Sequence, residues 1–225
     1  MRHPAIMTMR FLDRAEAGAA LGKALLKLRL RQPILVLALP RGGVPVGAAI
    51  ARALDAPLDL VLVRKIGAPS QPELAVAAVA EGDPPEIAID AEVQRMTGAD
   101  AGYIEAAAQR ELQEIARRRR VYCGGRAAPE VAGRTVIVAD DGIATGSTMR
   151  AALRALRRRR PALLVLAVPV AAPDSLQALR GEADRVVCLS EPVPFHAVGL
   201  HYVDFHQVDD EEVLAALQGA APTPQ

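Results

Sequence analysis

The sequence predicts an α/β fold in which a parallel sheet is flanked by helices. Three observations carry that prediction. Short, continuous apolar runs recur along the chain, as expected of strands buried on both faces. Segments of helical periodicity separate them, and such alternation makes parallel strands joined by right-handed crossovers. Two of the runs end in turns rich in small and charged residues, at the strand ends where ligands bind in open α/β sheets.

The elements follow in order. Residues 1–9 carry no usable pattern and are expected to fray, with Met7 or Met9 as alternative starts. Residues 11–30 read as an amphipathic helix, with Phe11, Ala15, Leu21, Leu25 and Leu28 near helical spacing and Asp13 as its cap. The run 34–39 lies between Pro33 and Pro40 and leads into Pro40-Arg41-Gly42-Gly43, after which a helix covers 46–54. A second strand at 58–63 ends in Arg64 and Lys65, and a polar, proline-bearing loop at 66–72 joins it to a strand at 74–80. Residues 86–126 interrupt the rhythm with a short strand at 87–89, a helical turn at 92–96 and a long helix at 101–121. That helix ends in Arg117 to Arg120, whose charge complements the helix dipole and needs no ligand.

A strand at 136–139 and a helix at 149–156 follow, the helix closed by arginines 157–160. Next come a strand at 163–168, a short helix at 174–180 and a last strand at 185–189. The stretch 190–206 then holds three of the four histidines and three of the six aromatic residues. Asp209 caps a final helix at 211–217, and the chain from Gly219 onward reads as a disordered tail.

The chemistry concentrates at Val136 to Met149, VIVADDGIATGSTM. A buried strand delivers two adjacent carboxylates, Asp140 and Asp141, to a small-residue turn, and a helix starts at once. The free N–H groups at that helix start suit a phosphate. Thr145, Ser147 and Thr148 add hydroxyl donors. Carboxylates beside a phosphate cradle need something hydroxyl-rich or cationic between them, such as ribose hydroxyls or a hydrated Mg²⁺. Neither a Walker A loop nor a GxGxxG fingerprint is present.

This run resembles the phosphoribosyl-pyrophosphate (PRPP) motif of type I phosphoribosyltransferases: four apolar residues, two acids, three variable positions, then Thr-Gly and two hydroxyl residues. PRGG at 40–43 resembles their pyrophosphate loop, in which the peptide before the glycine is often cis. The resemblance implies a Rossmann-like parallel sheet and a core at 10–189 with the helical insertion at 86–126. A hood and C-terminal helix would follow at 190–218. It also implies a Mg²⁺-dependent transfer of phosphoribose from PRPP to a nitrogen acceptor, a nucleobase above all, with release of pyrophosphate. Asp140 and Asp141 would bind the ribose hydroxyls and the metal. Ala144, Thr145, Gly146, Ser147 and Thr148 would hold the 5′-phosphate, and Arg41, Gly42, Gly43, Arg64 and Lys65 the pyrophosphate. Phe195 and His196 would belong to the base-binding hood, with the tail histidines titrating near neutrality, although the tail aromatics equally fill a small apolar satellite. The loop at 66–72 would be the family's mobile cover, here a short one.

Ala144 departs from the hypoxanthine–guanine branch, which carries an aspartate there, and this disfavours 6-oxopurines. RKIGAP and PFHAVG…DF are most similar to phosphoribosyltransferases of unassigned substrate. A non-catalytic sensor of PRPP or nucleotides with the same fold is the alternative. The roughly thirty residues before the first strand are too few for a winged helix, and the length is too short for a PRPP synthase, which needs two such domains.

Composition adds bounds. The 225 residues are 51% hydrophobic but only 3% aromatic, so the core must be aliphatic. A net charge of +1 supports neither wholesale nucleic-acid nor membrane binding. Cys123 and Cys188 show no metal spacing, and no apolar run approaches the ~20 residues of a membrane span. The expectation is a cytoplasmic protein that binds PRPP and a small acceptor, with a homodimer left open.

Overall fold

The structure is a computed structural model and describes residues 10–82 and 84–220. The sequence expectations for residues 1–9, for Asp83 and for the last five residues fall outside it.

Five parallel strands form the central sheet: β1 (Ile34–Ala38), β2 (Leu58–Leu60), β6 (Thr135–Ala139), β7 (Leu163–Val170) and β8 (Arg185–Ser190). Their order is β2-β1-β6-β7-β8. Every residue of β1 and β6 is buried, which is why both read as unbroken apolar runs. Side chains alternate faces along each strand. Val36, Ala38, Ile137 and Ala139 therefore join one core, which α1 (Arg14–Leu26) and α2 (Gly43–Leu54) cover. Leu35, Leu37, Val136 and Val138 join the other, under α5 (Ser147–Arg158) and α6 (Pro173–Leu179). Registration of Ala38 with Ala139 brings the ends of β1 and β6 to the same level.

The expected strand at 58–63 divides in two. β2 stops at Leu60, and β3 (Val63–Ala68) starts a separate antiparallel sheet with β4 (Gln71–Ala80) and β5 (Glu86–Ile89). Arg64 and Lys65 thus lie within a hairpin strand opposite Val79 and Ala78, rather than at the end of a parallel one. Most of the expected loop at 66–72 is strand, and the connection shrinks to Pro69 and Ser70. Burial of Ile66 and Ala68 supplies the period-two signal that the Gly, Pro and Ser content obscured. The segment 86–126 gives β5 to this sheet, then α3 (Ala91–Thr97) and the 23-residue α4 (Ala101–Cys123).

Two helices correct finer expectations. The buried stripe of α1 is Arg14, Ala17, Gly18, Leu21, Gly22 and Leu25, whereas Ala15 is exposed. In α4, Arg119 does not sit on the dipole but is buried at 8% exposure. Its guanidinium binds Asp59 at 2.5 Å, Glu81 at 2.7 Å and the Leu60 carbonyl at 3.2 Å. It thereby ties α4 to β2 and to the end of β4. α7 (Asp210–Gly219) begins with a capping box between Asp209 and Glu212.

Candidate active site

Two loops meet above β1 and β6. After β1 the chain turns through a cis peptide between Pro40 and Arg41, and α2 starts at Gly43. After β6 come Asp140 and Asp141. A β-carbon on Gly42 would lie 2.1 Å from Asp141 Oδ2, and one on Gly43 would lie 2.9 Å from Asp140 Cα. The glycines therefore exist so that the backbone of one loop can lie against the acids of the other.

The acid pair is held from several directions. Asp140 Oδ1 accepts the Asp141 N–H at 2.9 Å, and the Asp141 carbonyl accepts the Tyr202 hydroxyl at 2.6 Å. Arg14 Nε donates to Asp141 Oδ2 at 2.8 Å, with only 8% and 14% of the two side chains exposed. Arg14 also donates to the His206 carbonyl at 2.8 Å, and its guanidinium lies 3.9 Å over the Phe205 ring. Burial holds the Asp140 carboxyl well above the usual carboxylate range, and the neighbouring charge of Asp141 adds to this. Burial also raises Asp141, against the pull of Arg14.

The turn beyond the acids is anchored at its base. Ile143 N–H donates to the Val170 carbonyl, Ala172 N–H to the Ile143 carbonyl, and Ser175 Oγ to the Ala144 carbonyl. Gly146, at φ +74°, reverses the chain into α5. α5 has no side-chain cap, and its first backbone bond runs from Arg150 N–H to the Gly146 carbonyl. The N–H groups of Ser147, Thr148 and Met149 thus form an open helix start, flanked by the Thr145 and Ser147 hydroxyls. A cavity of about 380 Å³ opens beside the two loops, lined by Arg14, Arg41, Gly42, Asp141, Phe205 and His206 among others.

Residues 11–204 match the family model of the phosphoribosyl transferase domain. The chain belongs to that family. Two Mycobacterium tuberculosis proteins, from strains CDC 1551 and H37Rv, are each provisionally named a phosphoribosyl transferase. Both are 43% identical over 210 residues, which is 93% of this chain and 47% of theirs. The chain thus spans about half the length of the curated relatives it matches. The crystal structure of a Thermus thermophilus protein is similar at a TM-score of 0.82 and 45% identity, covering 95% of this chain and 100% of that one.

Within this phosphoribosyl transferase domain the sequence-derived residues divide. Arg41, Gly42, Gly43, Asp140, Asp141 and the segment 144–148 gather around the two loops. Arg41 lies 3.6 Å from Asp210, at the start of α7. Arg64 and Lys65 do not join them: Arg64 pairs with Glu111 on α4 at 2.7 Å, and no hydrogen bond or ion pair links either residue to the loops. Phe195 stacks on His201 at 5.7 Å and 19°, and packs with Phe11 and Tyr202, while His196 is exposed. The tail histidines differ from one another. His201 is buried and its burial lowers its pKa, whereas exposed His206 is raised by Glu212 and then by Asp204.

Sequence reasoning missed Arg14, Tyr202 and Phe205 as partners of the acid pair. A signal existed for Arg14, because positions 14, 17, 18, 21, 22 and 25 share one face and an arginine sits on it among small and apolar residues.

The donor set accommodates Mg²⁺ as a companion of a phosphorylated substrate. Asp140 and Asp141 are two carboxylates, and among the described residues no cluster of three or more His, Cys, Asp or Glu could cage a metal. Mg²⁺ commonly takes one or two carboxylates and completes its shell with water and phosphate oxygens. The half-buried Asp140 carboxylate accepts the Asp141 N–H and has no hydrogen-bonded cation; a metal or a pair of hydroxyls would satisfy its remaining lone pairs.

Proposed function

We propose that this domain transfers phosphoribose from PRPP to a nitrogen acceptor and releases pyrophosphate. The meeting of the glycine loop at 41–43 with the acid pair at 140–141, at the level ends of adjacent strands, carries this reading. The open start of α5 receives the 5′-phosphate through the backbone of Ala144 to Thr148 and the nearby hydroxyls. Asp140 and the free oxygen of Asp141 accept the ribose hydroxyls, and Arg14 fixes the orientation of Asp141. Arg41, with the backbone of Gly42 and Gly43, takes the pyrophosphate end.

The acceptor nitrogen forms a bond to the anomeric carbon as the bond from that carbon to the pyrophosphate oxygen breaks. Positive charge grows on the sugar, and the two carboxylates lie where they stabilise it. Mg²⁺, held by Asp140 and Asp141 with substrate oxygens, would neutralise phosphate charge. Most of the work of the protein residues is positioning. Phe195 and the hood segment border the acceptor side, and Ala144 provides no acid or base there. This reading places the protein in the cytoplasm; no helix among the described residues is long and apolar enough to cross a membrane.

Pyrophosphate release from PRPP and Mg²⁺, measured against a panel of purines, pyrimidines and other nitrogen acceptors, tests the proposal. Acceptor-dependent release that disappears in Asp140→Asn is the expected result. PRPP binding without release under any acceptor favours the sensor reading. Absence of PRPP binding overturns both.

A further inference from the structure

We propose that a cavity at the amino-terminal pole of the parallel sheet is a second anion site, which takes a small phosphorylated molecule. The cavity measures about 370 Å³, within the range of roughly 300–1,000 Å³ typical of small-molecule clefts. Its walls come from the link between α1 and β1, from the starts of β6 and β7, and from Arg185 at the start of β8. Thr135 and Asp140 stand five residues apart along β6. The cavity therefore lies roughly 17 Å from the acid pair, at the opposite ends of the same strands.

The donor inventory gives the ligand class. Arg29, Arg31 and Arg185 line the cavity, and no carboxylate does. Among the described residues none of the three guanidinium groups makes an ion pair or a side-chain hydrogen bond. Most other arginines of the chain are committed, among them Arg14, Arg64, Arg119, Arg154 and Arg157. The acid next in sequence to Arg185 is Asp184. It is engaged by Arg157 at 2.9 Å and 3.0 Å and by the Leu164 N–H at 2.7 Å.

The neutral groups point the same way. Gln32 Oε1 accepts the Ile34 N–H at 2.9 Å, so its amide nitrogen is the free end. Thr135 Oγ1 already donates to the Arg31 carbonyl at 2.7 Å. Three unpaired guanidinium forks and one amide donor around a concave space match the several acceptor oxygens of a phosphate group. No aromatic residue lines the cavity, so a nucleic-acid strand would find no base platform there. The concave shape and the fixed cluster of charge favour a small molecule over a polymer.

Amide NMR of the ¹⁵N-labelled full chain tests this residue by residue. Inorganic phosphate and AMP are titrated separately at constant ionic strength, beside a sodium chloride control. Saturable shifts at Leu30, Gly133, Ala162 and Arg185 are expected. They should weaken at least tenfold in Arg29→Gln/Arg185→Gln and persist in Asp140→Asn. Since all three arginines are exposed, the variant should keep the wild-type spectrum elsewhere. The wild-type shift map is decisive even without it. Saturation by phosphate alone identifies the phosphate group as the recognised moiety, and tighter saturation by AMP adds the nucleoside. Linear shifts equal to those of chloride would overturn the proposal, as would shifts confined to 41–43 and 144–148. Binding of a single-stranded oligonucleotide at this pole, with neither small anion saturating, would also overturn it. Because the readout is local to the pole, its failure is distinct from any failure of PRPP transfer.

Discussion

Gly42→Ala is the sharpest probe of how the two loops interlock. Gly42 has φ −58°, an ordinary right-handed value, so the substitution adds no backbone strain and acts by volume alone. Its new methyl would stand 2.1 Å from Asp141 Oδ2 and 2.8 Å from Asp141 Cγ. Carbon and oxygen need at least about 3 Å, so the carboxylate must retreat by about 1 Å or the loop must lift by as much. Retreat breaks the 2.8 Å contact with Arg14 in a place where both partners are largely buried. Overpacking of this kind costs about 1–3 kcal/mol. At about 2–4 °C per kcal/mol for a chain of this size, calorimetry should record a fall of about 2–12 °C. Misplacing a positioning group by 1 Å costs on the order of 10²-fold in a reaction that relies on geometry. PRPP turnover, or PRPP affinity by titration calorimetry, should fall by that order. Gly181→Ala is the control, since its methyl meets nothing within 4 Å. A Gly42→Ala protein with PRPP affinity within about threefold of the wild type and an unchanged melting temperature would refute the interlocked-loop reasoning.

Three further outcomes are expected. Arg119→Met leaves Asp59 and Glu81 as uncompensated, mostly buried charges and should cost about 3–5 kcal/mol by urea unfolding, with Asp59→Asn and Glu81→Gln restoring much of it; a loss below about 1 kcal/mol contradicts a dry network. Because burial and Asp141 raise the Asp140 pKa, the folded protein without ligand holds that proton more tightly than the unfolded chain. Its contribution to stability therefore declines as pH rises from the ordinary value of about 3.9 through the raised one. Ligand hydroxyls and Mg²⁺ favour the charged form, so PRPP should bind with proton release and more tightly as pH rises through that interval. Titration calorimetry in buffers of different ionisation enthalpy would expose a lack of such linkage. His206, raised by Glu212 and then by Asp204, favours its charged form when folded. Its contribution is complete below about 6.5 and fades as pH rises through the raised value. A proton NMR titration should show Glu212→Gln bringing His206 down, and no change would remove Glu212 as the cause.

Local pattern made most of the fold legible. Unbroken apolar runs marked β1, β6 and β7, which are paired on both sides, and β8, a half-buried edge strand, and the Asp-Asp and Arg-Gly-Gly turns marked the loops at the ends of β1 and β6. Other features were obscured by signals that compete at short range. Gly67, Pro69 and Ser70 masked a hairpin whose inward positions still alternate. Arginine at the end of a long helix has a sufficient local explanation, which hid the pairing of Arg119 with residues 38 and 60 positions away. The support of the acid pair was the least legible part. Arg14 and Tyr202 reach Asp141 across 127 and 61 residues, and periodicity reports nothing at that range.

That last geometry carries a consequence for the order of events on the ribosome. The strand β6 and the acids at its tip depend on partners from the beginning of the domain and from a segment translated much later. Phe11 N–H donates to the His201 carbonyl and Val203 N–H to the Phe11 carbonyl, so one of the first described residues is clasped by a segment made after the acids. At about 5–20 residues per second, the 61 residues between Asp141 and Tyr202 take roughly 3–12 s to make. During that interval Arg14 can already neutralise Asp141, but the brace from Tyr202 does not yet exist. The nascent domain thus holds its two carboxylates for seconds before it can hold them still.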